Sequence, residues 1–376
     1  MRVAHINFLP APAGMDIAQL LVRWPSLADI AELVSTAGIE VSVLQAARHP
    51  EHLTRNGVDY RFVDVGGARV ARWRGRCFAR VLRDLEVDVL HAHGLAFAED
   101  AFAISQCLSP SPPVVFQDHA DALPRWWRRT RLRRSFAVAS GVAFTSQAQA
   151  RPFTAAGLIA PHTRVFAIPE SSSRFTPGDR DAARAATGLH GDPCVSWVGH
   201  LDRNKDPLTV LDGVARATQR LPGLQLWCAH GSAPLLAAVR ARIDGDPRLR
   251  GRVHLLGKVP HARVEQLLRA SDLFVSGSHA EGSGYAATEA VACGVTPVLT
   301  DIAAFPALTD NGRIGHLYPR GDPVRLADTL VVAATNRTPR ERVRAHFDAS
   351  LSFAAVGRKW ADAYAQVLED RWRRAA

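Results

Sequence analysis

Short apolar runs that alternate with helix-forming stretches, along one half of the chain and then along the other, constrain the fold more than any other feature. Such alternation is typical of a parallel sheet covered by helices on both faces. The predicted strands are Val3–Phe8, Glu40–Leu44, Arg61–Val65, Asp88–His91, Val114–Gln117, Gly141–Thr145, Cys194–Val198, Leu224–Ala229, Val253–Leu256, Asp272–Ser276 and Thr296–Leu299. The predicted helices are Asp16–Thr36, interrupted at Pro25, with Val70–Leu85, Pro207–Arg220, Ala233–Ile243 and Val264–Arg269. The sequence therefore predicts an α/β protein with two doubly wound, Rossmann-like domains.

The Ser- and Pro-rich run ESSSRFTPGD, from Glu170 to Asp179, breaks this alternation near the middle of the chain. Such runs are typical of linkers, and 376 residues are more than one hydrophobic core usually organises. We therefore predict one domain over residues 1–168 and a second over residues 169–355. Because ligands bind beyond the carboxyl ends of the strands in open parallel sheets, two such domains facing each other would enclose a binding cleft.

The chain has a formal net charge of +10, which favours an anionic partner such as a nucleoside diphosphate, a membrane surface or a nucleic acid. Its five cysteines are scattered without metal-ligand spacing, as is typical of buried thiols in a reducing cytoplasm. The N-terminal sequence MRVAHINFLPAPAG predicts a first strand and not a signal peptide. No apolar stretch approaches the roughly 18 residues that a membrane-spanning helix needs. We therefore expect a cytoplasmic protein that would meet a membrane only from the side.

The segment SHAEGSGYAATEAVACGVTPVLT, residues 278–300, carries the strongest functional signal. A Gly-rich turn with Glu281 opens an Ala-rich helix that bears Glu289 and ends at Gly294, and a buried strand follows. A helix N-terminus with small residues suits an anion, because its backbone N–H groups and its dipole present positive charge there. Two carboxylates on roughly the same side of the helix can accept hydrogen bonds from hydroxyl groups. These groups together predict a site for a nucleotide sugar.

Two further strand ends add basic residues to this prediction. In the first, Gly199 allows a ligand to approach the strand end, and Arg203 and Lys205 can each reach a phosphate. A solvated polar turn before a helix is the alternative interpretation. In the second, Gly257-Lys258-Val259-Pro260, backbone groups can bond the edge of a nucleotide base, although a simple connection between strand and helix is the better explanation of this run when it is taken alone.

Three histidines, His91, His93 and His119, lie near strand ends of the first half. The first two share one face if the strand extends to His93, but a metal site needs a third ligand, which no neighbouring residue supplies. We therefore expect hydrogen-bonded structural histidines and no metal. His119 is the better functional candidate, because Val114–Gln117 delivers it to the sheet edge. Asp244-Gly245-Asp246 resembles a metal–diphosphate signature, but we expect a turn there.

The Arg/Trp segment, residues 125–134, is unusually basic and aromatic. One interpretation is that the segment binds an anionic membrane surface, with its indole rings among acyl chains and its guanidinium groups on lipid phosphates. The alternative is a solvated basic helix that covers the sheet. Binding to nucleic acid is not predicted, since no motif for base readout accompanies the charge. The residues proposed for the membrane or acceptor surface are Arg125, Trp126, Trp127, Arg128, Arg129 and Arg131.

The second half of the chain resembles the retaining glycosyltransferases of family 4, which have the two-domain GT-B fold. The most specific match is the E-x7-E signature, here Glu281 to Glu289, and the segments GHLDRNKDPLTVLDGV, LLGKVP and Gly315–Ala327 support it. In the first half, DVLHAHG and VVFQDHAD look like the strand ends of that family. The final helix, residues 356–376, resembles the family's tail that returns to pack on the first domain.

The resemblance implies that three residues act in catalysis. Glu281 would contact the hydroxyls of the donor sugar, Lys205 would neutralise the diphosphate, and His119 would approach the sugar from the first domain. Glu281 would position the sugar and not attack it. No metal or other cofactor is implied, because a lysine and backbone amides would stabilise the charge of the leaving diphosphate.

The resemblance also implies further contacts with the donor. Glu289 would hold the ribose, Lys258 with Val259 would meet the base, and Gly14 would let the first loop pass near the phosphates. His200 stands where the family usually has Arg, so one charged contact is missing unless Arg203 compensates or His200 binds protonated. The other implied donor-binding residues are Gly199, Asn204, Gly282, Ser283, Gly284 and Tyr285.

The predicted function is retaining transfer of a sugar from a nucleoside diphosphate sugar to an acceptor hydroxyl. Family frequency favours UDP over GDP as the carrier. The predicted acceptor is a glycan or lipid-linked glycan of cell-envelope polysaccharide synthesis, which would place the protein peripherally on the inner face of the cell membrane. The alternative, motivated by His200, is a non-catalytic nucleotide-sugar-binding or membrane scaffold protein of the same fold.

Overall fold

The computed structural model describes residues 1–375 and divides the chain into two compact units. Unit 1 comprises Met1–Ser171 together with the residues from Phe353 onward, and unit 2 comprises Ser172–Ser352. The boundaries at 168/169 and 355/356 that the sequence predicts lie three residues from this division. The last residue of the predicted final helix, Ala376, lies outside the described residues.

Unit 1 contains one eight-stranded sheet with the strand order β3-β4-β2-β1-β5-β6-β7-β8. Its strands are β1 (Arg2–Asn7), β2 (Glu40–Ala47), β3 (Glu51–Arg55), β4 (Val58–Asp64), β5 (Val89–His93), β6 (Val114–Gln117), β7 (Ala139–Phe144) and β8 (Arg164–Ala167). All neighbours pair in parallel except β3 and β4, which form an antiparallel hairpin at one edge. Neither β3 nor this antiparallel pairing was predicted from the sequence.

The helices of unit 1 cover both faces of its sheet. They are α1 (Ile17–Arg23), α2 (Pro25–Thr36), α3 (Ala71–Leu85), α4 (Ala98–Ser105), α5 (Trp126–Phe136) and α6 (Gln147–Ala155), with a short 3-10 turn at Leu95–Phe97. The break predicted at Pro25 is confirmed, because α1 ends before Trp24 and Pro25 occupies the first position of α2, where its missing N–H costs nothing. Successive residues of β1 alternate between two hydrophobic clusters, with Val3 in one and Ala4 in the other.

Unit 2 contains a wholly parallel six-stranded sheet with the order β11-β10-β9-β12-β13-β14. Its strands are β9 (Cys194–Gly199), β10 (Gln225–His230), β11 (Val253–Gly257), β12 (Leu273–Ser276), β13 (Thr296–Thr300) and β14 (His316–Tyr318). Its helices are α7 (Arg180–Thr187), α8 (Pro207–Ala217), α9 (Leu236–Gly245), α10 (His261–Ala270), α11 (Tyr285–Ala292), α12 (Pro323–Thr335) and α13 (Arg340–His346), followed by a π-helical turn at Phe347–Leu351. The direction in which strands are added reverses between β9 and β12, and ligands bind at such switch points in doubly wound sheets.

The C-terminal helix α14 (Phe353–Ala375) belongs to unit 1. Its apolar side chains recur at the spacing of one helix face and are buried in the same cluster as residues of α2. The buried residues of that face are Val356, Trp360, Ala363, Tyr364 and Val367. The predicted packing of the final helix on the first domain therefore agrees with the composition of this core. No helix within residues 1–375 is both long and apolar enough to span a membrane.

Candidate functional site

Two loops that leave adjacent strands at the switch point of unit 2 carry the residues with the strongest functional signal. The first loop follows β9 and leads into α8, and the second follows β12 and leads into α11. Because β9 and β12 are parallel neighbours, their carboxyl ends lie at the same edge of the sheet. The fold therefore brings the Gly199–Lys205 run and the Glu281 turn together although about eighty positions separate them in sequence.

The Lys205 ammonium forms an ion pair with the Glu281 carboxylate across these two loops. Both side chains are mostly buried, with 24% of Lys205 and 14% of Glu281 exposed. The same Glu281 oxygen accepts a hydrogen bond of 2.6 Å from the Ser278 hydroxyl. The two predicted catalytic residues of this unit are thus in direct contact, and a charge pair of this kind can exchange partners when a ligand with its own charge arrives.

Asn204 holds the two loops in register. Its amide nitrogen donates to the Ala280 carbonyl at 3.0 Å, and its amide oxygen accepts from the Ala280 N–H at 3.1 Å. The His279 ring lies 2.8 Å from an oxygen of Asp206, the residue that caps α8. The resemblance implies that Asn204 binds the donor, and in the structure the same side chain bridges the two loops.

Steric crowding explains two glycines of the second loop. A Cβ atom at Gly277 would lie 2.9 Å from Val210 and 3.0 Å from the Asp206 carbonyl oxygen, so only glycine lets the loops approach this closely. Gly284 has a φ of +66° at the N-terminus of α11, and a Cβ there would lie 2.7 Å from the Phe305 ring. Ser283 beside it is buried, whereas Tyr285 is 45% exposed.

Hydroxyl groups behind the ion pair were missed by the sequence analysis. Ser276 and Ser278 are 3.0 Å apart through their side-chain oxygens, and the Tyr318 hydroxyl donates to the Ser276 carbonyl at 2.9 Å. Thr300 donates to the Ser278 carbonyl at 2.6 Å. These buried contacts link three strands to the loop that carries Glu281. In the sequence, the feature that could have indicated them is the presence of polar residues at the ends of otherwise apolar strands.

Glu289 lies within α11, and its carboxylate is mostly buried. It contacts the His261 ring, with 2.6 Å between His261 Nε2 and Glu289 Oε1. Burial raises the pKa of Glu289 above its usual value, and the His261 contact partly opposes that shift. The His261 ring also packs on Phe175, with 4.8 Å between ring centroids. The sequence analysis did not identify His261, which begins α10.

His200 stands where the resemblance implies an Arg, and a hydrogen bond to its ring shows which ring nitrogen carries the proton. The Ser232 backbone N–H donates to His200 Nδ1 at 3.1 Å. A nitrogen that accepts a hydrogen bond carries no proton, so the neutral ring has its proton on Nε2. The alternative that His200 binds protonated would require this hydrogen bond to break.

The other predicted donor residues lie at loops of both units. Arg203 and Lys258 are exposed, and Val259 packs against the hydrophobic clusters around α10. Gly199 is the last residue of β9, where a Cβ would just touch the Trp197 ring at 3.4 Å. Gly14 lies in unit 1 and has a φ of +76° in the loop between β1 and α1.

The histidines of unit 1 form a cluster that the sequence analysis described incompletely. β1 pairs with β5 so that His5 lies opposite His91, and possible ligand atoms of His5, His91 and His93 lie within 4.8 Å of one another. No neighbouring residue was expected to supply a third ligand, and that expectation is wrong, because the pairing of β1 with β5 brings in His5, 86 positions before His91. His119 follows β6, and both of its ring nitrogens contact partners within unit 1, at 3.1 Å from His93 and 2.6 Å from Glu170.

The Arg/Trp segment forms α5, apart from Arg125 before it. Trp126 is 74% exposed and Trp127 is 55% exposed, with the Arg125 guanidinium 5.1 Å from the Trp127 ring centroid. Arg131 forms an ion pair of 2.6 Å with Glu99, and Arg129 donates to the Pro124 carbonyl at 2.9 Å. Asp244 and Gly245 of the DGD run are the last residues of α9, so the turn expected over all three residues begins only at Asp246. Asp246 accepts hydrogen bonds from Arg242 and Arg248.

Comparisons with known proteins agree with this architecture. The family described as "Glycosyl transferases group 1" matches residues 192–336, and that described as "Glycosyltransferase Family 4" matches residues 26–170. D-inositol 3-phosphate glycosyltransferase of Mycobacterium tuberculosis is 35% identical over 160 residues. That match covers 42% of this chain and spans only about a third, 32%, of the relative's length.

Solved structures share the fold over nearly the whole chain. A glycosyltransferase from Rickettsia africae has a TM-score of 0.74 at 12% identity and covers 98% of each chain. HepE from Anabaena, in complex with UDP, has a TM-score of 0.69 at 20% identity and covers 97% of this chain and 100% of its own. Two glycosyltransferase models thus match the chain, one in each half, and its two parallel-sheet units match GT-B structures. Together these findings support a glycosyltransferase of family 4, group 1.

Proposed function

We propose that this chain transfers a sugar from a nucleoside diphosphate sugar to an acceptor hydroxyl, with retention at the anomeric carbon. The observation that carries the proposal is the ion pair of Lys205 and Glu281 at the switch point of unit 2. UDP is the favoured carrier, because the structurally similar HepE was crystallised with UDP, with UDP and glucose, and with UDP-glucose. The similarity to HepE shows only a shared fold, so UDP as the carrier of the donor sugar is proposed.

In this proposal the donor replaces the contact between Lys205 and Glu281. The Lys205 ammonium turns to the diphosphate, whose two negative groups attract it more strongly than one carboxylate does. Glu281 is then available to accept hydrogen bonds from sugar hydroxyls. The dipole at the N-terminus of α11, beside Gly282, Ser283, Gly284 and Tyr285, adds positive potential for the same anion.

The nucleoside is assigned to the neighbouring strand ends. Glu289, whose buried carboxylate already accepts a hydrogen bond from His261, would accept from the ribose hydroxyls. Lys258 and Val259, which follow β11, would lie along the base. Arg203 and His200 follow β9 and would complete the diphosphate contacts, with His200 as a neutral Nε2–H donor.

The chemical step needs no metal in this proposal. The bond between the anomeric carbon and the diphosphate oxygen breaks, and the acceptor oxygen forms a new bond to that carbon on the same face. The acceptor proton passes to an oxygen of the departing diphosphate. Lys205 and the positive end of α11 stabilise the charge that develops on the leaving group, a contribution that typically amounts to about 10²–10³ in rate for one donor.

A donor panel separates this function from the alternative of a non-catalytic binding or scaffold protein. Purified protein is incubated with UDP, GDP and ADP sugars, and released nucleotide and thermal stabilisation are measured in parallel. We expect stabilisation by at least one UDP-sugar and slow release of UDP, because water replaces a missing acceptor. Stabilisation without any release, with or without candidate acceptors, would favour the scaffold. The absence of both effects for every donor would contradict the proposal.

We also propose that unit 1 binds an anionic membrane surface, which would present a lipid-linked glycan as acceptor. The supporting observation is the exposure of Trp126 and Trp127 beside the arginines of α5. On α3, Trp73 is 55% exposed, and the Arg76 guanidinium lies over its ring. The helices α3 and α5 both pack on α4. Aromatic rings and basic side chains on one surface suit the interface of an anionic bilayer.

Vesicle binding tests this surface. The protein is expected to sediment with anionic vesicles at low salt and not with neutral ones. Charge reversal of Arg128, Arg129 and Arg131 to Glu is expected to weaken binding at least about tenfold, since each basic residue near the surface contributes about 1 kcal/mol. A matched control reverses three exposed arginines of unit 2, Arg216, Arg240 and Arg250. Equal loss in both variants, or no sedimentation of the wild type, would contradict a specific membrane surface.

A further inference from the structure

Four histidines and one tyrosine of unit 1 form a continuous hydrogen-bonded chain between Gln117 and Glu170. Each of the eight imidazole nitrogens takes part in one contact. At one end, Gln117 Oε1 lies 3.0 Å from His91 Nε2, and His91 Nδ1 lies 2.6 Å from the Tyr364 hydroxyl. That hydroxyl lies 3.2 Å from His5 Nε2, and His5 Nδ1 lies 3.1 Å from His93 Nε2. At the other end, His93 Nδ1 lies 3.1 Å from His119 Nε2, and His119 Nδ1 lies 2.6 Å from Glu170 Oε1.

The geometry favours this chain over a metal site at His5, His91 and His93. The rings of His91 and His93 stack at an interplanar angle of 11° with 4.5 Å between centroids. Lone pairs of imidazole lie in the ring plane, so two nearly parallel stacked rings do not direct them at one ion. A metal would also have to displace Tyr364 or Gln117 from His91.

Burial determines the protonation of the interior members. It lowers the pKa of His5 to about 3 and holds the pKa values of His91 and His93 well below the usual histidine value. It also raises the pKa of Tyr364 well above the usual tyrosine value. Each of these three histidines therefore carries one ring proton at neutral pH, and Tyr364 keeps its own. A neutral imidazole donates at one nitrogen and accepts at the other, so the donors all point the same way along the chain.

The Gln117 amide sets that direction. Its Nε2 donates to the Glu170 backbone carbonyl at 3.3 Å, which leaves its Oε1 to accept from His91 Nε2–H. His91 Nδ1 must then accept from the Tyr364 hydroxyl, which in turn accepts from His5 Nε2–H. The opposite direction would require the amide to turn over and place its oxygen against the Glu170 carbonyl oxygen.

Following this direction to the end of the chain gives His119 a second proton. His5 Nδ1 accepts from His93 Nε2–H, and His93 Nδ1 accepts from His119 Nε2–H. One contact remains, between His119 Nδ1 and the Glu170 carboxyl, and it also requires a proton. An imidazole is more basic than a carboxylate, so we assign that proton to His119. The carboxyl groups of Asp118 and Asp121 flank the same turn, and Asp121 accepts the His119 backbone N–H at 3.3 Å.

We propose that His119 is a fixed cation, paired with Glu170 and held by the chain that begins at Gln117. Gln117, His91, Tyr364, His5 and His93 are then positioning residues, and neither nitrogen of His119 is available to accept a proton or a sugar hydroxyl while the chain is intact. This inference goes beyond the proposed function and does not depend on it. While the His119–Glu170 contact is intact, His119 would not accept a hydrogen bond from the donor sugar, in contrast to the role that the resemblance implies.

Nitrogen NMR of the full-length protein tests this state directly. Long-range proton–nitrogen correlation spectra at pH 7.5 distinguish protonated from unprotonated ring nitrogens, and the His119 signals are assigned by their loss in His119→Gln. We expect both nitrogens of His119 in the protonated range, with one protonated nitrogen in each of His5, His91 and His93. A wild-type His119 with one unprotonated nitrogen would overturn the proposal, whatever the variants show.

Removal of the Tyr364 hydroxyl tests whether Gln117 controls His119 through the chain. In Tyr364→Phe, the hydrogen bonds from His5 to Glu170 are no longer linked to His91. The direction of these bonds can then reverse, so that each histidine donates toward Glu170 and all of them are neutral. We expect His119 Nε2 to move to the unprotonated range in this variant. The matched control, Tyr60→Phe, removes a hydroxyl that bonds Glu32 at 2.9 Å elsewhere in unit 1. A folded Tyr364→Phe protein with wild-type His119 signals would contradict control through the chain.

Discussion

Replacement of Glu281 or Lys205 by Ala is expected to lower kcat/KM for sugar transfer by about 100-fold or more. Lys205→Ala removes the charge proposed to stabilise the departing diphosphate, and loss of one such electrostatic donor typically costs about 10²–10³ in rate. Glu281→Ala removes the acceptor proposed for the sugar hydroxyls, and it also removes the carboxylate that pairs with the Lys205 ammonium. Initial rates with a saturating acceptor and a varied donor measure both effects.

A matched control separates this site from ion pairs in general. Arg220 pairs with Asp328 in the same unit, and both side chains are about half exposed. Exposed pairs contribute about 0–1 kcal/mol, so Arg220→Ala is expected to retain activity within about twofold. Thermal unfolding of all three variants verifies that the fold is intact. Turnover close to wild type in both site variants would refute the assignment of Lys205 and Glu281.

Trp360→Ala is expected to lower the free energy of unfolding of unit 1 by about 3–5 kcal/mol, as large-to-small substitutions of buried aromatic residues do. Trp360 is fully buried in α14, with its ring 4.3 Å from the His91 ring and 5.6 Å from the Tyr364 ring. Its Nε1–H has no hydrogen-bond acceptor within the described residues, so Trp360→Phe removes volume and no polar contact. That variant is expected to cost less. Chemical denaturation measures both.

Trp372 on the same helix is the control for this prediction. It is 68% exposed, and surface substitutions usually change stability by less than about 0.5 kcal/mol. Trp372→Ala is therefore expected to unfold like the wild type. If Trp360→Ala and Trp372→Ala had equal small effects, α14 would not be an integral part of the unit 1 core.

The parts of the fold that depend on local pattern were predictable from the sequence. The strand at Val114–Gln117 agrees with the structure to the residue, and the break at Pro25 follows from the geometry of proline. The β3–β4 hairpin was missed because the burial of β3 is low and alternating, so no apolar run marks it. The short helices α4 and α7 were missed for a similar reason, since each has too few turns for a clear periodic signal.

The site was predictable only where one segment carries the signal. The turn at Glu281 was recognisable because glycines, small residues and the second carboxylate of Glu289 lie in one stretch. Its contact with Lys205 depends on β9 and β12 being neighbours, which is a property of strand order. The place of His5 beside His91 depends in the same way on the pairing of β1 with β5. Residue spacing carries no information about such distant pairings.

A crystal structure of the protein soaked with UDP tests the central claim most directly. The account predicts density for the diphosphate at the carboxyl ends of β9 and β12, with a phosphate oxygen within about 3.2 Å of Lys205 Nζ. It also predicts that Glu281 no longer contacts that ammonium. UDP bound at another place in the chain, with the Lys205–Glu281 ion pair unchanged, would contradict it.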